Sequence, residues 1–267
     1  MDLADLEAKL SEDVTAVVCE LVSFLGMIES QVREIGALAK KYGAEFIVYT
    51  NPITLGILEA PMECGATIVC GDLHSLGIHQ GNGSGQAGFI STKREAKYLN
   101  EYKDYMYGFC EPEVEGELAF GILLNYRTHY SQRAKGKEYT GTGKNLWMAA
   151  ACVYMALMGP KGFEEVGETM LCNCRYAQKK LAEIPGVSLK FTAPSFHEFV
   201  VDFSGAGMTV AQVNEGLLKK GIFGGFDLSK DFPEFGQCAL YSVTETTLKE
   251  EMDALADALR DVLKGEV

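Results

Sequence analysis

Residues 45–92 read EFIVYTNPITLGILEAPMECGATIVCGDLHSLGIHQGNGSGQAGFIST. The stretch opens on a continuous apolar run at 45–49, turns at Asn51-Pro52, and passes through a helix-like segment over 54–59. A second apolar run, TIVC at 67–70, leads into a segment with glycines at 71, 77, 81, 83, 85 and 88, and a short strand follows at 89–91. Continuous rather than alternating apolar runs belong to strands covered on both faces, as in parallel sheets. Glycines gather like this where a backbone must turn sharply or approach something closely.

The pattern extends outward on both sides. TAVVC at 15–19 is a β-type run, and residues 28–42 place Val32, Ile35, Leu38 and Ala39 on one helical face, with Gly43 as the C-cap signal. Strand and helix alternating in this way predict an α/β architecture with a mainly parallel sheet. Residues 93–117 are polar and aromatic and read as irregular surface, whose tyrosines and Phe109 suit an interface. A long amphipathic helix is expected over 144–158, ending at Gly159-Pro160, and a second over 162–184, ending at Pro185-Gly186. The pattern then changes to a small C-terminal α+β type. Strands are expected at 188–191, 198–203 and 238–242, and helices at 210–220 and 246–264, the last burying Leu248, Met252, Leu255 and Leu259. The division falls along the connecting helix, giving a partial large domain over 1–165 and a small domain over 166–267.

Composition narrows the function. The chain has 267 residues, 47% hydrophobic and 23% charged, with a formal charge of −13. That acidity disfavours nucleic-acid and anionic-membrane partners, which require a basic footprint. The apolar runs are too short to span a bilayer and the first five residues lack a basic region, so a cytoplasmic location is expected. Of the eight cysteines, Cys19, Cys70, Cys152 and Cys238 sit in apolar runs and read as small core residues. Cys172 and Cys174 point apart on a helix, so no metal site is expected.

Several segments carry a resemblance. NPITLGILEAPMECGATIVCGD (51–72), HSLGIHQGNGSGQAGFIST (74–92), NLWMAAACVYMALMGPKGFEEV (145–166), IPGVSLKFTAPSFHEFVV (184–201) and CALYSVTETTLKEEMDAL (238–255) are similar to glycine dehydrogenase (decarboxylating) subunit 1, the P-protein of the glycine cleavage system. The similarity runs from about Leu3 to the C-terminus and corresponds to the C-terminal two-thirds of that family. It implies a fold type I architecture, the fold of a large group of pyridoxal-phosphate (PLP) enzymes.

The resemblance also implies where the chemistry should lie, and two positions depart from it. A PLP enzyme needs a lysine amine to hold the cofactor covalently and an acid that keeps the ring nitrogen protonated. His74 stands at the lysine position, followed by Ser75, and Asn51 at the acid position. Neither imidazole nor amide can do the corresponding task. Loss of the lysine is what the resemblance implies for subunit 1, with PLP carried in the family complex by subunit 2; subunit 1 generally retains the acid. No PLP is therefore expected covalently on this chain. His74 and His79 flank a turn and read as loop histidines bonded to nearby backbone. Gly141, Thr142 and Gly143 precede the long helix, where a hydroxyl, free N–H groups and a positive dipole end come together. An ordinary N-cap uses the same groups, while the resemblance implies a cross-subunit contact to a partner's cofactor phosphate. His197-Glu198 reads as a structural match to the family's NEF, and Trp147 as core.

Two function classes remain. One is a subunit-1-type component of glycine decarboxylase, acting with subunit 2 and the lipoyl H-protein and non-catalytic by itself. The other is a truncated, catalytically inactive paralogue acting as a binding or scaffold protein. A fold type I sheet starting near its middle would expose an edge, so a homo- or hetero-oligomer, or an edge covered by the chain's own N-terminal residues, is expected.

Overall fold

The computed structural model describes residues 1–78, 87–102, 106–110, 112–124, 126, 128–135 and 144–266. The chain opens with helix α1 (Leu3–Lys9), capped by the Asp2 carboxylate on the Ala4 and Asp5 amides. Strand β1 (Ala16–Glu20), helix α2 (Val32–Lys41) and strand β2 (Glu45–Tyr49) follow. After a 3-10 turn at Pro52–Gly56 come β3 (Ile68–Asp72) and β4 (Gly88–Thr92). These strands form one sheet in the order β1-β2-β3-β4, parallel through β3, with β4 antiparallel at its edge. Helix α2 ends where Gly43 adopts φ +74°, the left-handed conformation expected of it.

One face of this sheet is covered. Val17, Cys19, Phe46, Val48 and Val69 pack against Val32, Ile35 and Ala39 of α2. Leu3, Leu6 and Leu10 join the same cluster, so the N-terminal helix thickens the covered side. It does not wrap the outer edge of β1, which pairs with no described strand.

Residues 93–117, expected to be irregular, are more ordered than that. They contain α3 (Ala96–Leu99) and β5 (Met106–Cys110), which pairs antiparallel with β6 (Ala119–Leu123). Gly108 faces Gly121 across the pair, and those glycines masked the strand pattern in the sequence. A short α4 (His129–Gln132) follows. The expected 54–59 helix is only the 3-10 turn, whose end at Gly56 meets a neighbour.

That neighbour is α5 (Asn145–Ala182), bent at Gly159 (φ +60°) where the sequence places Gly-Pro. A Cβ on Gly56 would lie 2.4 Å from the Phe163 carbonyl, and one on Gly167 would lie 2.9 Å from Ile57. Further along, Cys174, Ala177 and Leu181 enter a second core. There β7 (Ser188–Leu189), β8 (Glu198–Asp202), α6 (Val210–Lys219), β9 (Phe226–Asp227), β10 (Cys238–Ser242) and α7 (Lys249–Lys264) form a sheet of order β7-β8-β10-β9 with helices on one face. Helix α6 starts with a reciprocal cap between Thr209 and Gln212.

Three burial expectations fail. Cys70 is only half-buried, on the side of β3 opposite Val69. Cys152 is exposed, lying on the outward side of α5, and Leu248 is 60% exposed because it is the N-cap of α7 rather than part of its buried stripe. Trp147 is half-buried against the cluster around Leu76 and Ala151. Among the described residues, no helix is long and apolar enough to cross a membrane.

The Gly56 contact predicts a specific sensitivity. Gly56→Ala would force backbone apart from backbone and destabilise the chain by about 1–3 kcal/mol, read as a lowered urea midpoint at unchanged slope.

Candidate active-site cleft

A cleft of about 560 Å³ opens where the C-terminal ends of β2 and β3 meet the second sheet. Asn51, Asp72, His74 and Ser75 line one wall, Val166 and Met170 of α5 the floor, and His197, Glu198 and Glu245 the other wall. Strand ends of a parallel sheet suit such a site, because the loops leaving them are free of ladder bonds.

Asn51 is held by both of its neighbouring loops. Its Oδ1 accepts the Ile53 amide at 3.0 Å and the Ser75 hydroxyl at 2.8 Å. It thereby caps the 3-10 turn, whose Pro52 sits at the first position. Beneath it, the buried Thr50 and Thr54 hydroxyls bond each other at 2.7 Å, and Thr54 donates to the Asn51 carbonyl. Gly71 lets β3 pass this point, since a Cβ there would lie 2.1 Å from the Thr50 carbonyl oxygen.

Asp72 organises the second loop. Its Oδ1 accepts the His74 amide at 2.9 Å and its Oδ2 accepts the Tyr49 hydroxyl at 2.9 Å. Burial, with the adjacent carboxylate, pushes the Tyr49 phenol up to about 12. His74 starts a turn over His74–Ile78, and Ser75 beside it ties that turn to Asn51. The structure therefore brings Asn51 and His74 to one cleft.

His197 and Glu198, read from the sequence as structural, face the same space. Burial lowers the His197 imidazole, opposed by the nearby Glu245 charge, and burial raises the Glu198 carboxyl to about 7. Their closest approach is 3.8 Å, between His197 Nε2 and Glu198 Oε2. Burial disfavours the charged form of each, and neither shift is caused by the other residue, so charge pairing does not hold this contact. His197 Nδ1 is buried without a hydrogen-bond partner. The available signal was a histidine and a glutamate at the head of the apolar run FVV, where charge is costly to bury. Only the tertiary packing shows that both border a cavity.

Gly141, Thr142, Gly143, His79 and the glycines at 81, 83 and 85 lie outside the described residues. Among the described residues, no group of three or more histidine, cysteine or acidic side chains is arranged to hold a metal ion.

A family profile described as "Glycine cleavage system P-protein" matches residues 1–259. The chain belongs to the glycine cleavage system P-protein family. Similar proteins include the probable glycine dehydrogenase (decarboxylating) subunit 1 of Pyrococcus furiosus, 36% identical over 98% of this chain and 57% of that protein. The protein of the same description from Moorella thermoacetica is also 36% identical, again over 98% of this chain and 57% of its own length. The chain thus spans just over half the length of these relatives. Among solved structures, a glycine decarboxylase (P-protein) of the glycine cleavage system in inhibitor-bound form matches with a TM-score of 0.84 at 30% identity, over 95% of this chain and 56% of that one. A NifS-like protein from Rickettsia africae shares the fold, with a TM-score of 0.67 at 16% identity over 99% of this chain and 67% of that one.

The described residues of this P-protein-family cleft do not fit PLP as a working electron sink. Among the described residues no lysine lines it, and the amide oxygen of Asn51 already accepts two hydrogen bonds. What the cleft does supply is burial that raises the Glu198 carboxyl to about 7. The raised Glu198 carboxyl lies above its unfolded value of 4.5, so stability contributed by the neutral acid is present below about 4.5 and is lost as pH rises through about 7. Carbon-13 NMR of labelled glutamate should therefore show one carboxyl titrating near 7. Glu198→Gln should remove that titration and flatten stability against pH between about 4.5 and 7.

Proposed function

We propose that this chain is a subunit-1-type component of glycine decarboxylase, the P-protein of the glycine cleavage system, and is non-catalytic by itself. The complete enzyme would use PLP on subunit 2 to decarboxylate glycine and would pass the aminomethyl group to the lipoyl arm of the H-protein. This chain would supply dimer surface and one wall of a neighbouring site, in the cytoplasm. Residues 1–165 would form its partial large domain and residues 166–267 its small one, joined by the helix over 162–184.

One observation carries this reading. A chain of the P-protein family presents His74 and a hydrogen-bonded Asn51 at the strand ends, where a self-sufficient enzyme needs a lysine and a carboxylate. The second reading, an inactive paralogue serving as a scaffold, draws support from Asn51. Its tie to Ser75 gives the amide a structural use in place of the acid that subunit 1 generally keeps.

Co-expression with subunit 2 from the same genome separates the two. The component reading expects no glycine–bicarbonate exchange from the chain alone, and a co-purifying complex that exchanges. A chain that neither binds subunit 2 nor alters its exchange belongs to the scaffold reading. In an active complex, Thr142→Ala should raise the PLP concentration giving half-maximal exchange about tenfold, the worth of one hydrogen bond to a charged group.

A further inference from the structure

The charges that line the cleft are one-sided. Asp72, Glu198 and Glu245 bring carboxyl groups to it, and among the described residues no lysine or arginine lines it. The three acids differ in what they are free to do. Asp72 is committed, because its two oxygens accept the His74 amide and the Tyr49 hydroxyl. Glu198 has only the His197 imidazole beside it, at 3.8 Å, and Glu245 has no hydrogen-bond or ion-pair partner among the described residues. Glu198 is half-buried and Glu245 exposed, so uncommitted acceptors are available both inside the cleft and at its surface. His197 on the same wall leaves Nδ1 buried and unsatisfied, and a buried polar atom without a partner is costly. The floor beneath these groups is apolar, formed by Val166 and the buried Met170.

A ligand that matches this lining carries a positive head rich in N–H donors and an apolar stem. An alkylammonium ion has both, with three donors on one nitrogen. A carboxylate or phosphate would instead bring like charge to a site where water is partly excluded. We propose that the cleft is a binding site for a small alkylammonium ion without a carboxylate, its nitrogen held by Glu198 and Glu245 and its stem on Val166 and Met170. A volume of about 560 Å³ admits a stem of several carbons. Binding is tied to a proton. Burial raises the Glu198 carboxyl to about 7. The titratable groups around it are His197 and Glu245 on its own wall, Asp72 and His74 across the cleft, and the Cys174 thiol of α5. An ammonium beside Glu198 favours its ionised form, so below about 7 the ligand displaces the carboxyl proton to solvent and binds more weakly. The His197 imidazole, lowered by burial, adds repulsion only on further acidification. The site belongs to the component and scaffold readings alike, since it needs this chain alone.

The test is isothermal titration calorimetry of the 267-residue chain with n-butylamine, set against butyrate and glycine. Salt at about 0.15 M screens loose attraction to the acidic surface. Butylamine keeps its charge across the range used, as a lysine side chain does, so any pH dependence comes from the protein. The expected result is saturable binding of one butylamine, with butyrate and glycine bound far more weakly. Affinity should be about tenfold higher at about pH 8 than at about pH 6, with proton release at the lower pH. Glu198→Gln should remove that pH dependence. Glu245→Gln, at an exposed position where folding is not at risk, should weaken binding about fivefold. Absence of saturable butylamine binding would overturn the inference, as would glycine or butyrate binding equally tightly. Butylamine binding that neither substitution alters would overturn it too, because the amine would then sit elsewhere on the acidic surface.

Discussion

Helix α5 can lie on the first sheet's loops only because two glycines leave room for a close approach. Gly56 meets the Phe163 main chain and Gly167 meets Ile57, and a side chain at either point would push the helix outward. From this seat the same helix continues into the second core with Cys174, Ala177 and Leu181. It therefore sets the spacing between the strand ends of the first sheet and the head of β8. The cleft is that spacing, with Val166 and Met170 as its floor. Close-packed interiors transmit small displacements, so the cleft's width follows from contacts some distance from its polar residues.

Within the cleft, burial dominates over charge pairing. Desolvation raises the Glu198 carboxyl and lowers the His197 imidazole, and neither shift has the other residue as a cause. On the opposite wall, Asp72 and Asn51 are committed to the Tyr49 hydroxyl, the His74 amide, the Ile53 amide and the Ser75 hydroxyl. These bonds connect the loops after β2 and β3 into one unit. The backbone framework overlays that of a glycine decarboxylase with a TM-score of 0.84. A fold supplies positions, and the chemistry depends on what stands at them.

The surface is divided in a similar way. An overall charge of −13 coexists with apolar groups that face outward in sets. Tyr107, Phe109 and Phe120 form an exposed aromatic group on β5 and β6, with ring centroids 6.0 and 6.1 Å apart. Leu146, Val153 and Leu157 are exposed on the first half of α5, and Val18 and Ile90 on the sheet. Apolar surface gathered in patches belongs to contacts between molecules rather than to a solvated monomer face.

Local pattern was enough to read the parallel strands at 45–49 and 67–70, the break at Gly159-Pro160, the Gly43 cap and the family itself. Each of these depends on residues close together in the chain, where steric restriction and hydrophobic period act directly. The identities of Asn51 and His74 were equally legible, being single positions in a matched segment. The β5–β6 pair escaped because its strands contain facing glycines and are stabilised by cross-strand contacts that no window of sequence displays. Helix α1 and the outward side of Cys152 were missed for the same reason, since burial is a property of neighbours. His197 and Glu198 gained a setting only when α5 brought their strand to the ends of β2 and β3. Sequence alone determined which groups are available and which family framework carries them. Tertiary structure decided which groups share a cavity and which apolar faces stay open, because desolvation and coverage depend on contacts between residues far apart in the chain.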